Sequence, residues 1–113
     1  MTVFKLSFNI MKDRFKDKVV IVTGASSGIG EAIAREFAKL NSRVVLAARS
    51  VERMSKIAGE INLSGGTAIC IRTDVSIEED CRNLIEKTIS SFGRIDILVN
   101  NAGISMRAGF PAV

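Results

Sequence analysis

From residue 19 onward, short apolar runs alternate with longer segments of helical periodicity, and this alternation constrains the fold of the chain more than any other feature. Val19-Val20-Ile21-Val22 is an unbroken β-branched run, the pattern of a strand buried on both faces. A helical segment follows, with Ile29, Ile33, Phe37 and Leu40 as its expected apolar face and Asn41-Ser42 as its end. Arg43 to Ala48 reads as a second strand. Ser50 is placed to cap a helix whose apolar face is Met54, Ile57 and Ile61, with Gly65-Gly66 ending it. Thr67 to Ile71 is a third strand. Ser76-Ile77-Glu78-Glu79 fits a capping box, with Ser76 as N-cap and Glu79 as its reciprocal partner. A helix carrying Leu84, Ile85, Thr88, Ile89 and Phe92 then runs to Gly93, and Ile95 to Val99 is a fourth strand, expected to be buried on both faces. Strands separated by helices and joined by short connections predict the α/β class: a doubly wound parallel sheet with helices on both faces.

Composition excludes several function classes. The 113 residues contain no His and no Tyr, so a His-based triad, a His metal site and a His proton relay are all absent from this chain. Cys70 and Cys81 lack CxxC spacing and fall on apolar faces, which predicts buried free thiols in a reducing compartment. The net charge of +4 is concentrated at the start, where residues 1–18 hold five cations against two carboxylates, leaving +1 for the rest. No basic stretch is interleaved with aromatics, so nucleic acid is not an expected partner. No apolar run approaches the ~18 residues of a membrane span, and a cytoplasmic protein is expected.

The turn after the first strand, Thr23-Gly24-Ala25-Ser26-Ser27-Gly28-Ile29-Gly30, carries the clearest chemical signal. Glycines between a strand and a helix let backbone approach a phosphate, and the helix N-terminus offers it unpaired N–H groups and partial positive charge. A tight turn with Gly for packing alone is the competing reading. The spacing is G-x-x-x-G-x-G, and Glu31 stands where a nucleotide-triphosphate loop would place Lys. At the end of the second strand, Ala47-Ala48-Arg49-Ser50 offers no carboxylate for a ribose 2′-hydroxyl. It offers Arg49, whose fork of donors suits a 2′-phosphate, although an ordinary solvated Arg would look the same. The missing acid also weighs against S-adenosylmethionine methyltransferases, which share the strand–Gly loop–helix start.

Three motifs in order resemble the short-chain dehydrogenase/reductase family: TGASSGIG at 23–30, Asp74-Val75 after the third strand, and Asn100-Asn101-Ala102-Gly103 after the fourth. The resemblance implies a Rossmann-type sheet and an NADP(H) cofactor, with NAD(H) the less favoured alternative. It implies that Gly24, Ser26, Ser27, Gly28, Ile29 and Gly30 surround the pyrophosphate and adenosine ribose. Arg49 and Ser50 would hold the 2′-phosphate, Asp74 and Val75 would border the adenine, and Asn100, Ala102 and Gly103 would line the floor near the ribose. A complete enzyme of this kind transfers hydride between the dinucleotide and a small carbonyl or secondary alcohol, and is expected to be a homo-oligomer.

The family's Ser and Tyr-x-x-x-Lys groups lie downstream of the fourth-strand motif, and none of them can be matched in this sequence. Residues 19–113 are therefore expected to be the NADP-binding half of a Rossmann sheet cut off after its fourth strand, a fragment without its catalytic half. Residues 1–18 are expected to be an extension, with Met11 an alternative start or the whole segment an arm packed on the domain. Two other readings remain: a non-catalytic dinucleotide-binding module, and a truncated product that does not stay folded.

Overall fold

The computed structural model describes residues 3–101, with side chains from Asn9 onward. Its elements are α1 (Val3–Phe15), β1 (Val19–Thr23), α2 (Gly28–Lys39), β2 (Arg43–Ala48), α3 (Val51–Leu63), β3 (Thr67–Arg72), α4 (Glu78–Phe92) and β4 (Ile97–Val99). The strands form one parallel sheet in the order β3-β2-β1-β4. The chain steps from β1 outward to β3, then crosses back over to lie beside β1 on its other side. Right-handed crossovers in opposite directions place their helices on opposite faces.

The core divides accordingly. Val20, Val22, Val44, Leu46 and Ala48 pack against Ala34 and Ala38 of α2 and Met54, Ile57, Ala58 and Ile61 of α3. Val19, Ile21, Val45, Ala47 and Ile71 point to the other face, where Leu84 of α4 covers them. Alternate residues of one strand thus serve two cores, which is why β1 and β2 read as unbroken apolar runs. The α/β doubly wound fold is as expected.

Several local expectations are corrected. The buried line of α2 is Gly30, Ala34 and Ala38. Ile33 and Phe37 sit at its margin, and Ile29 is 71% exposed. Small residues win this face because the helix start lies almost against the Gly24 carbonyl, leaving no room for a branched side chain. The capping box does not form: the N-cap of α4 is Ile77, without a side-chain cap bond. Ser76 lies outside the helix, and both its N–H and its hydroxyl donate to Asp74 Oδ1, at 3.0 and 2.6 Å. Ile89, expected on the apolar face of α4, is exposed. The fourth strand begins at Ile97, two residues later than expected, because the Asp96 carboxylate takes the Val19 N–H at 2.8 Å where a ladder would otherwise start. It is not buried on both faces. Ile97 and Val99 pack on the α2 side, whereas Leu98 on the α4 side is 37% exposed.

Two helix ends are as expected. Ser50 Oγ accepts from Arg53 N–H as the N-cap of α3, and Gly93 ends α4 at φ +79°. Neither cysteine is in a disulfide; Cys81 is buried, as expected, but Cys70 is only half-buried. Helix α1 runs through Met11 without a break. Its last residue, Phe15, meets Phe37 edge-on at 5.7 Å and accepts a hydrogen bond from Ser42 Oγ at 2.8 Å. Among the described residues no helix is long and apolar enough to cross a membrane.

Candidate functional site

The order of the sheet reverses between β1 and β4. In open α/β sheets a crevice forms at such a point, outside the carboxyl ends of the strands. Four loops leave the sheet at that end, and their residues determine what the crevice can hold.

The loop after β1 is held from beneath. Thr23 Oγ1 lies 3.3 Å from the Val99 carbonyl and 3.1 Å from Asn100 Oδ1, tying β1 to the end of β4. Ala25 N–H donates to the Ala47 carbonyl. A Cβ on Gly30 would stand 2.1 Å from the Gly24 carbonyl oxygen and 2.8 Å from Asn101 Nδ2, so Gly30 allows α2 to start directly against the turn. Gly28 differs. Its φ is +60°, and a Cβ there would meet nothing within 4 Å. Ser27, the N-cap, is extended and makes no side-chain cap bond, so its hydroxyl leaves the first-turn N–H groups of α2 unengaged. The start of α2 is therefore open in front and tightly packed behind.

The remaining loops complete the site. Arg49 follows β2, is exposed, and makes no ion pair among the described residues. After β3, Thr73 Oγ1 donates to the Ile71 carbonyl, and Asp74 N–H donates to Asp80 Oδ2 at 2.9 Å. The Asp74 carboxyl is held below the usual carboxylate range, chiefly by the Ser76 hydroxyl, then by the Ser76 N–H, with Arg49 and Arg72 adding positive charge nearby. Asp74 is thus an ionised group already engaged with its own loop.

These loops enclose a cleft of about 350 Å³. Of the residues singled out from sequence, Gly24, Ser26, Ser27, Arg49, Ser50, Asp74 and Val75 line it together. Gly28, Ile29, Gly30 and Asn100 do not: Gly28 and Ile29 open to solvent beside it, Gly30 packs behind the turn, and Asn100 faces Thr23. Ala102 and Gly103 lie outside the described residues. Sequence reasoning missed Thr73 and Ser76, which also line the cleft, and Asn101, whose Nδ2 donates to the Gly24 carbonyl at 3.4 Å. Their adjacency to Asp74 and Asn100 was the available signal.

Residues 18–113 match the family described as short chain dehydrogenase. The chain belongs to that family. It is 44% identical over 107 residues to 11-beta-hydroxysteroid dehydrogenase A of Sesamum indicum, covering 90% of this chain and 31% of that one. A hydroxysteroid dehydrogenase from Escherichia coli matches with a TM-score of 0.78 and 38% identity, over 82% of this chain and 40% of that one. L-Sorbose reductase from Gluconobacter frateurii, solved with NADPH and L-sorbose, matches with a TM-score of 0.76 and 43% identity, over 79% and 34% of the two chains. The chain spans about a third of the length of the curated relatives it matches.

Proposed function

We propose that this chain forms the NADP(H)-binding part of an oxidoreductase acting on a carbonyl or secondary alcohol. The observation that carries the reading is the convergence of an open, uncapped helix start with an unpaired Arg49 in one cleft whose β2 end bears no carboxylate. The space in front of Gly28 fits a phosphate, because the missing Cβ leaves clear the approach to the first turn of α2. There the N–H groups of α2 and its dipole bind and orient the pyrophosphate. Arg49, with Ser50 beside it, meets a 2′-phosphate with forked donors. Thr73, Asp74 and Val75 border the adenine. A relative of this chain has been solved with NADPH, which supports the same cofactor here. When bound, the dinucleotide supplies or accepts the hydride. This chain's own contribution is to hold its adenosine and pyrophosphate.

The test is a fluorescence titration with NADPH and with NADH. NADPH is expected to bind the more tightly. Arg49→Ala is expected to weaken NADPH about ten- to a hundredfold and leave NADH nearly unchanged, since a hydrogen bond to a charged group contributes about 1.5–3 kcal/mol. A variant that keeps the full wild-type preference for NADPH removes Arg49 from this role.

A further inference from the structure

Beyond Arg49, the cation pattern continues along α3. Arg53 stands in the first turn of the helix that Ser50 caps, and Lys56 follows one turn on, about 4.5 Å further along the axis. Both are exposed, and neither makes an ion pair among the described residues. They line a shallow furrow of about 390 Å³ between α2 and α3, which shares Ser26 and Ser27 with the dinucleotide cleft. The two hollows therefore meet at the turn after β1.

The opposite wall of the furrow explains why these cations stay unpaired. Glu31 and Glu60 both face it, and Arg35 binds both, at 2.9 and 2.5 Å. Glu60, four residues beyond Lys56, lies within its helical reach, though in the less favoured order for such a pair. Arg35 has taken that carboxylate across the α2–α3 interface. The furrow is left with three cations against two carboxylates, and the two cations outside any ion pair among the described residues are Arg53 and Lys56. The carboxylate in the adjoining cleft, Asp74, is engaged with Ser76.

We infer that Arg53 and Lys56 are specificity-determining residues, a second tier of cations behind Arg49 that favours the dinucleotide bearing the extra phosphate. This rests on the proposal that the cleft binds NADP(H). A dianionic phosphate beside Ser26, Ser27 and Arg49 lies on the shared edge of the furrow, where exposed cations attract it through solvent over the ~8 Å screening length at physiological salt. NADH carries no charge at that position and lacks this added attraction.

The experiment measures NADPH and NADH dissociation constants on the full chain for wild type, Arg49→Ala, the double variant Arg53→Ala/Lys56→Ala, and Arg53→Lys/Lys56→Arg, at low and high salt. Circular dichroism confirms that each is folded. The double alanine variant is expected to weaken NADPH about three- to tenfold, with NADH unchanged, and the charge-conserving variant to restore most of the loss. The loss is expected to shrink at high salt. Unchanged NADPH affinity in the double variant, with a preference still abolished by Arg49→Ala, overturns this inference and leaves the cofactor reading standing. Equal weakening of NADPH and NADH overturns it as a matter of specificity. A wild-type protein with no preference for NADPH overturns both.

Discussion

Gly28 and Gly30 stand two residues apart on one turn, yet their missing side chains serve different ends. At Gly30 a methyl group would sit inside the Gly24 carbonyl, a backbone group that cannot swing aside as a side chain can. Gly30→Ala is therefore expected to destabilise the fold by about 3 kcal/mol, at the upper end for overpacking, read as a shift in the urea midpoint. At Gly28 a methyl group meets open space, and the cost is only the left-handed backbone at φ +60°, about 1–2 kcal/mol. Gly28→Ala should stay folded with its helix content intact and lose dinucleotide affinity. If Gly30→Ala proves as stable as wild type, the close packing of α2 on the turn is wrong. If Gly28→Ala binds NADPH as tightly as wild type, the space before it is not where a phosphate sits.

Between elements, the pairing of β4 with β1 is reinforced at its start by one carboxylate. Asp96 Oδ2 accepts from Val19 N–H at 2.8 Å, while Arg94 donates to Oδ1 at 2.6 Å. The Asp96 carboxyl is held below the usual range, first by Arg94 and then by the Val19 N–H. A carboxyl whose folded-state value is depressed stabilises the fold fully above its unfolded value. That contribution fades as pH falls through the lower folded value. The expected window is below about pH 4. Thermal melts of wild type and Asp96→Asn should differ most at neutral pH, and the gap should narrow as pH falls below about 4. A gap that stays constant over that range would show that Asp96 is not the titrating tie. The same residue explains why the fourth strand could not be bounded from sequence. Its apolar pattern begins at Ile95, but a contact with Val19, 77 residues earlier, moves the start of the ladder to Ile97. The face of α2 was misread for a related reason. Ile29, Ile33 and Phe37 have the stronger apolar signal, whereas the close approach at Gly24 selects the adjacent line of Gly30, Ala34 and Ala38. The Ser76 capping box failed locally, because Asp74 bonds Ser76 before the helix can use it.

For the molecule as a whole, the strand sequence and class were legible because β1 and β2 are buried on both faces, and β-branched runs advertise that directly. The cleft was legible in part. Gly24, Arg49 and Asp74 each follow a strand, so a parallel sheet necessarily brings them to one end. Thr73, Ser76 and Asn101 were not, because their positions depend on how each loop folds back on itself. The central claim is that these strand-end loops, and no other surface, receive a dinucleotide. The hollow of about 400 Å³ beside Lys12, Ser64 and Gly66 lies where α2 and α3 end and carries no such open helix start. The most direct measurement is an amide ¹H–¹⁵N NMR titration of the 113-residue chain with NADP. Shifts confined to Gly24, Ser26–Gly30, Arg49–Ser50 and Thr73–Ser76 are the expected result. Shifts centred on Lys12 and Ser64–Gly66, or none at millimolar NADP, would contradict it.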